Sequence, residues 1–257
     1  MNILQRFLFI CFLFLAINSF SQAQEYYQLK IYSFDTDAQQ QMTDDYLKEA
    51  FLPALKRHKI NDVGVFKPRP IDSVTPKKTY VLIPFISLEQ FSLLEDKLLS
   101  DQLHLESGAA YLNASHDNTP YQRIESVLMN AFIEMPEMKA STLDGPREER
   151  VYELRSYESA TEELYRKKVD MFNAGGEVAL FESLNFNAVF YAEVISGGQM
   201  PNLMYMTTHA NQEERDANWK AFVDSPEWKK LEVMPKYQNT VSKNDTMLLY
   251  PTEYSDY

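Results

Sequence analysis

The chain has 257 residues, of which 37 are acidic and 25 are basic, so its formal net charge is −12 at pH 7. This acidity argues against nucleic acid and anionic membranes as partners, because an acidic surface repels both polyanions. Sixteen tyrosines and sixteen phenylalanines, against seven glycines, indicate packed helices and sheets.

The first 23 residues have the pattern of a secretory signal peptide. Arg6 precedes an apolar run from Phe7 to Ile17, and Ser21-Gln22-Ala23 provides the small residues of a cleavage site. The run is short for a membrane-spanning helix, so we expect no stable membrane anchor. Cleavage removes Cys11, the one cysteine of the chain. The expected product is a periplasmic or secreted protein that is stabilised by core burial without disulfides.

Two distant stretches of the chain repeat each other at one offset. Tyr27-Gln28-Leu29-Lys30-Ile31-Tyr32 recurs as Tyr152-Glu153-Leu154-Arg155-Ser156-Tyr157, 125 positions later. Tyr80-Val81-Leu82 matches Tyr205-Met206-Thr207 at the same offset. A constant offset over this length predicts a duplicated domain.

The first unit, residues 24–134, has periodic segments that alternate between strand and helix. The strand over 27–32 is followed by a helical pattern over 46–55, which Pro53 is expected to kink or break. The predicted elements that follow are strands at 63–66 and 80–85, a helix at 87–99 and a strand at 127–132.

The second unit, residues 149–257, repeats this order after a linker over 135–148 that carries Pro136, Gly145 and Pro146. Its first helical pattern, over 164–181, contains Gly175-Gly176, which are expected to divide it. The other predicted elements are strands at 152–157, 188–191, 203–209 and 246–250, and a helix at 211–222. Both units therefore read β-α-β-β-α-β, the order of a ferredoxin-like fold in the α+β class.

The alternation on the first strands predicts which side chains share a face. Tyr27, Leu29 and Ile31, with Tyr152 and Leu154, are expected to face the helices. The alternate set, which includes Lys30, Tyr32, Arg155 and Tyr157, is then expected to face the space between two covering sheets. A cleft between the two units is the natural place for a ligand.

A series of motifs runs in order through almost the whole second unit. They are Tyr152-Glu153-Leu154-Arg155-Ser156-Tyr157, Met171-Phe172-Asn173, Gly176-Glu177, Val189-Phe190-Tyr191, Met200-Pro201-Asn202-Leu203-Met204-Tyr205-Met206 and Ser225-Pro226-Glu227-Trp228. This series resembles the NIPSNAP family, and the first unit is similar but degraded, without the Pro-Glu-Trp segment. The resemblance implies a dimeric α+β barrel, formed here by two units within one chain. The wider superfamily includes cofactor-free monooxygenases, haem-handling enzymes and plain binding proteins, and fold similarity does not choose among them.

Five residues are candidate ligand-binding residues: Lys30, Tyr32, Arg155, Tyr157 and Tyr205. A cation and a phenol at equivalent places in both units could orient an acidic or aromatic small molecule. The alternative is that they fill space through mutual hydrogen bonds and ion pairs, for example with Glu153.

Two further residues are candidates for catalysis. His209 shares a strand face with Tyr205 and Thr207 and could act as a base or haem ligand, whereas its equivalent in the first unit by the offset is Pro84. Glu177 could move protons if burial raises its pKa, or it could cap the helix that follows Gly176. His58, His104 and His116 lie in separate elements without ligand spacing, so we expect no metal site.

These observations favour an exported protein that binds a small apolar or aromatic ligand between its two units, at one asymmetric site biased toward the second. Two alternatives remain: a cofactor-free or haem-dependent monooxygenase that uses His209, and a protein-interaction module. The leading hypothesis needs no cofactor, and the sequence leaves a homo-oligomer open.

Overall fold

Eight antiparallel strands frame the protein in the computed structural model, which describes residues 23–70 and 75–257. They are β1 (Tyr26–Ser33), β2 (Gly64–Pro68), β3 (Lys78–Phe85), β4 (Arg123–Ala131), β5 (Val151–Glu158), β6 (Ala188–Ser196), β7 (Asn202–His209) and β8 (Lys243–Pro251). They close into a barrel in the order β1-β3-β2-β8-β5-β7-β6-β4. A closed barrel has no free edge strand to pair with other chains.

Helices cover the outside of both halves and confirm the α+β class. In the first half they are α1 (Asp37–Tyr46), a π-helical turn (Leu47–Phe51), α2 (Leu52–Arg57), α3 (Leu88–Ser92), α4 (Leu94–Ser100), α5 (Gln102–Ser107) and α6 (Ala109–Leu112). In the second half they are α7 (Glu162–Phe172), α8 (Glu177–Ser183), α9 (Gln212–Asp224), α10 (Pro226–Glu232) and a 3₁₀ turn (Pro235–Tyr237).

The expected signal peptide lies outside the described residues, apart from Ala23. Across residues 23–70 and 75–257, the search for a helix of sufficient length and apolarity to cross a bilayer finds none.

Helix boundaries follow local chemistry in both halves. Thr36 caps α1 and Thr161 caps α7, each through a side-chain oxygen that accepts a backbone N–H of the first turn. Pro53 is the second residue of α2, directly after the π-helical turn, so the expected interruption is present. Gly176, at a φ of 87°, separates α7 from α8 as expected, because glycine adopts this left-handed conformation without strain.

The two halves meet along two strand pairs, β2 with β8 and β4 with β6. Between these seams each half contributes four neighbouring strands, in the orders β4-β1-β3-β2 and β8-β5-β7-β6. The segment between the halves lies against both of them. Met138 donates its backbone N–H to the carboxylate of Glu25 in the first half, and Lys139 donates its backbone N–H to the carbonyl oxygen of Val189 in the second.

The offset of 125 holds on the first strands but not on the third. Lys30 pairs with Val81, whereas Arg155 pairs with Tyr205, so the offset between β3 and β7 is 124. Tyr80 and Tyr205, which match in sequence, therefore point to opposite faces of the sheet. By the same register the equivalent of His209 is Phe85, and the expectation of Pro84 is wrong.

The expected assignment of faces is also wrong, because the two faces are exchanged. Tyr27, Leu29, Tyr152 and Leu154 lie in the cluster that fills the barrel interior. Tyr32 packs under the helices of the first half, and Tyr157 and Tyr205 pack under those of the second. The barrel closes around the face on which β1 presents Tyr27 and Leu29 and β5 presents Tyr152 and Leu154, since burying an unpaired charge among them would be costly.

Side chains fill most of the interior of the barrel. At the end where β5 begins, Tyr257 packs against Phe66 and Tyr152, with ring centres 5.8 and 6.3 Å away. At the opposite end a recess of about 320 Å³ remains, lined by interior side chains such as Leu154 and Met204. The predicted space between the sheets is therefore a packed core with a shallow mouth.

Candidate functional site

The seven candidate residues are divided between the two halves and do not converge on one site. Lys30 and Tyr32 lie under the helices of the first half. Tyr157, Tyr205, Glu177 and His209 lie under those of the second half, beside Arg155. None of the seven lies in the interior cluster of the barrel.

Glu153 is the centre of a buried network in the second half. Its carboxylate accepts from Arg155 Nε at 2.6 Å, from Arg215 Nε at 2.7 Å and from Trp219 Nε1 at 2.8 Å. Burial favours the protonated form, but these donors outweigh it and hold the pKa of Glu153 below its usual range. Trp219 also covers the guanidinium of Arg155, whose Cζ lies 3.8 Å from the ring centre.

The two tyrosines of this half extend the network into an aromatic core. Arg155 Nη1 donates to the hydroxyl of Tyr157 at 3.1 Å, and that hydroxyl lies 2.8 Å from the hydroxyl of Tyr205. The ring of Phe172 packs against both tyrosine rings. Burial raises the pKa of Tyr205 well above its ordinary value, so this hydroxyl stays protonated. These hydrogen bonds and ring contacts agree with the space-filling alternative.

Glu177 forms a buried ion pair instead of capping a helix. Its Oε2 accepts from Lys168 Nζ at 2.8 Å, and both side chains are at most 5% exposed. The ammonium lies 4.6 Å from the ring centre of Phe172. Burial raises the pKa of Glu177 despite the opposing effect of Lys168. The pair is enclosed in packed side chains and joins α7 to α8.

His209 is fully buried and has both ring nitrogens engaged. Asn218 Nδ2 lies 3.2 Å from Nδ1, so the amide can donate there, and Nε2 lies 3.4 Å from the hydroxyl of Thr207. The ring of Phe186 covers it at 5.3 Å. Burial lowers the pKa of His209 to about 4. This neutral and enclosed imidazole offers no accessible base and no free nitrogen for a haem iron.

An open cleft of about 610 Å³ lies between the sheet and the helices of the first half. Its lining joins Lys30 on β1 to Tyr46 and Phe51 on the first helical segment, and to Tyr111 and Tyr121 farther along the chain. This volume falls in the range of small-molecule pockets in proteins.

Five aromatic rings, which we call the aromatic circle, form a chain whose two ends, Phe51 and Tyr32, lie beside the head of Lys30: Phe51, Tyr46, Tyr111, Tyr121 and Tyr32. The Nζ of Lys30 lies 5.1 Å from the ring centre of Phe51 and 5.6 Å from that of Tyr32. Successive ring centres are 5.7 Å (Phe51 to Tyr46), 3.8 Å (Tyr46 to Tyr111), 5.8 Å (Tyr111 to Tyr121) and 6.0 Å (Tyr121 to Tyr32) apart.

His104 belongs to this cleft, although its sequence spacing suggested no role. Its Nδ1 lies 3.0 Å from the carbonyl oxygen of Leu98, which can only accept, so Nδ1 carries a proton. The hydroxyl of Tyr46 lies 3.1 Å from Nε2 and donates to it when the ring is neutral. The tyrosine oxygen is then left as an acceptor.

Tyr46, Tyr111 and Tyr121 come from segments that are far apart in the sequence. Periodicity within a segment therefore could not predict that they cluster.

Metal binding finds no support in the part of the chain that the structure describes, where no group of three or more His, Cys, Asp or Glu side chains could hold an ion.

The Glu153 network and the Lys168–Glu177 pair all lie in one continuous stretch of the chain. Residues 152–256 match the NIPSNAP family. The NIPSNAP match therefore covers the second half, including the strand β5 that carries Glu153 and Arg155. No curated protein matches the chain.

Solved structures share the barrel at low identity. A monooxygenase-like protein from Lactobacillus acidophilus aligns over 89% of this chain and 94% of its own, with 11% identity and a TM-score of 0.56. One from Fusobacterium nucleatum aligns over 90% and 93%, with 8% identity and a TM-score of 0.56. A NIPSNAP family protein from Agrobacterium tumefaciens aligns over 42% of this chain and 97% of its own, with 16% identity and a TM-score of 0.37. The first two likenesses show the fold alone, an α+β fold with a closed barrel.

Replacing His209 should reduce the acid sensitivity of the protein. In the unfolded chain the pKa of this histidine is about 6.5, but in the folded protein it is about 4. The stability contributed by its neutral form is complete above pH 6.5 and is lost as the pH falls through 4. Over this pH range, we expect the free energy of unfolding of the wild type to fall by about 3 kcal/mol more than that of His209→Gln. Urea denaturation at a series of pH values measures it.

The exposed His116 gives the control, since His116→Gln should leave the pH dependence as in the wild type. An unchanged pH dependence in His209→Gln would show that His209 does not titrate as its burial requires.

Removing Lys168 should destabilise the second half. Lys168→Met leaves the carboxylate of Glu177 buried without its partner, which typically costs about 3–5 kcal/mol. The double variant Lys168→Met/Glu177→Leu should recover most of this loss, because no buried charge remains. Lys167→Met, on the same helix but partly exposed, should change the free energy of unfolding by less than about 0.5 kcal/mol. A double variant no more stable than Lys168→Met would refute the account of the pair.

Proposed function

We propose that this protein binds a small aromatic molecule in the cleft of its first half. The observation that carries the proposal is the aromatic circle around Lys30, which borders an open cleft of about 610 Å³. Flat apolar side chains with a few polar groups are the usual lining of ligand pockets. A planar ligand can stack on them and gain both burial and ring–ring attraction.

Polar groups around the cleft support one orientation of such a ligand. Lys30 supplies an ammonium donor, and Tyr46, with its proton directed to His104, supplies an acceptor oxygen. His104 is 2% exposed and is held by the carbonyl of Leu98, so the hydroxyl of Tyr46 has a fixed partner. Groups held in this way lose little freedom when a ligand binds.

The second half supports the proposal by contrast. There the equivalents of Lys30 and Tyr32 are Arg155 and Tyr157, and both are engaged with Glu153 and Tyr205. The proposal thus places the single asymmetric site in the first half, away from the NIPSNAP match, instead of between the two units.

The monooxygenase alternative has less support. It relied on His209 as a base, and this histidine is buried, neutral and hydrogen-bonded on both nitrogens. The monooxygenase-like names belong to structural neighbours at 11% identity or less, which share the fold alone. The proposed binding needs no cofactor.

We also propose that the two halves are diverged copies of one ferredoxin-like unit. The same order of elements and the shared offset on β1 and β5 support this origin. Export by the N-terminal segment remains part of the proposal. The apolar run before Ala23 supports it.

The aromatic circle is tested with 2-naphthamide, a neutral two-ring probe, by isothermal titration calorimetry. We expect saturable binding to the wild type and affinity about five to ten times weaker for Tyr111→Ala, because this change removes one stacking ring. Tyr250→Ala, outside the cleft lining, should bind like the wild type.

Thermal denaturation of each variant confirms that the fold is kept. Absence of binding to the wild type, or equal losses in Tyr111→Ala and Tyr250→Ala, would refute this site.

A further inference from the structure

Lys30 has no carboxylate partner among the described residues, whereas its counterpart Arg155 is paired with one. Arg155 has the carboxylate of Glu153 at 2.6 Å, and Glu153 also accepts from Arg215. On β1 the position equivalent to Glu153 is Gln28, whose amide donates to Ser126 Oγ at 2.8 Å. Among the described residues, Lys30 has no carboxylate within ion-pair distance and no hydrogen-bond acceptor.

Aromatic rings compensate this ammonium only in part. The rings of Phe51 and Tyr32 have their centres 5.1 and 5.6 Å from its Nζ, and such contacts are weak at partly exposed sites. A charge-assisted hydrogen bond to an anion is stronger than either contact. The ammonium group of the half-buried Lys30 can therefore still donate a hydrogen bond to a bound anion.

The other charges of the cleft favour the same sign of ligand. Arg123 lies on the lining and donates to the carbonyl of Gln122, so its charge is not neutralised there. Among the described residues that line the cleft, Glu95 is the one carboxylate, against these two cations. In a chain with a net charge of −12, this local excess of positive charge runs against the general surface. Such a patch attracts anions.

We infer that the ligand of this cleft is an aromatic carboxylate, whose acid group pairs with Lys30 while its ring packs against the rings of the aromatic circle that line the cleft. The inference rests on the proposed binding function and adds the sign of the charge and the residue that recognises it. Gln28 is then a specificity-determining position, because a glutamate there would neutralise the cation as Glu153 neutralises Arg155.

The test compares 2-naphthoate with 2-naphthamide, which differ in charge but hardly in shape. We expect the wild type to bind naphthoate about tenfold more tightly than naphthamide at low salt, because only naphthoate can form a charge-assisted hydrogen bond. Salt at about 0.5 M should reduce this preference, because it screens the attraction between the charges. Lys30→Gln should lower the affinity for naphthoate about tenfold and leave that for naphthamide within about twofold.

Gln28→Glu should abolish the preference for naphthoate over naphthamide, because the new carboxylate would pair with Lys30. This variant keeps the lysine and the fold, so it tests the effect of charge without changing the shape of the cleft. Lys48→Gln removes an exposed lysine outside the cleft lining and should leave the preference as in the wild type.

The outcomes distinguish the two proposals. If the wild type binds neither probe, the proposed function fails and this inference fails with it. If both probes bind equally, or if Lys30→Gln and Gln28→Glu keep the preference, the binding function stands and the inference about charge is overturned. A preference that disappears in both variants but persists in Lys48→Gln supports it.

Discussion

The closed barrel imposes one constraint on the rest of the structure, which is that successive residues of a strand point alternately to its interior and to the outer side, where the helices lie. Leu29 and Leu154 occupy the interior, so their neighbours Lys30 and Arg155 must lie under helices. A charge placed inside the barrel would lose its hydration without a partner. The cations Lys30 and Arg155 are therefore held in the two spaces between sheet and helices, one in each half.

The two halves use these spaces differently. In the second half Glu153 joins Arg155 to Arg215 and Trp219 on α9, which ties strand to helix and leaves the cation neutralised. In the first half Gln28 carries no charge, and the space beside Lys30 stays open. The half that matches the NIPSNAP family thus has a consolidated core, while the first half has the better candidate site.

The sequence predicted the strands and helix breaks because these depend on local chemistry, as at Pro53 and Gly176. It did not predict the faces. Alternation shows which side chains share a side, but closure of the barrel decides which side is covered. A shift of one residue between β3 and β7 then placed the matching Tyr80 and Tyr205 on opposite faces. The site was predicted in part: Lys30 borders the cleft, but its partners Tyr46 and Tyr111 come from segments that only the fold brings together.

The central claim is that the ligand site lies between the sheet and the helices of the first half. X-ray diffraction from crystals grown with 6-bromo-2-naphthoate tests it directly, because anomalous scattering locates the bromine atom. We predict a bromine peak in the cleft bordered by Lys30 and Tyr111, with the carboxylate at the ammonium. A peak inside the barrel or under the helices of the second half, with the cleft unoccupied, would contradict the claim.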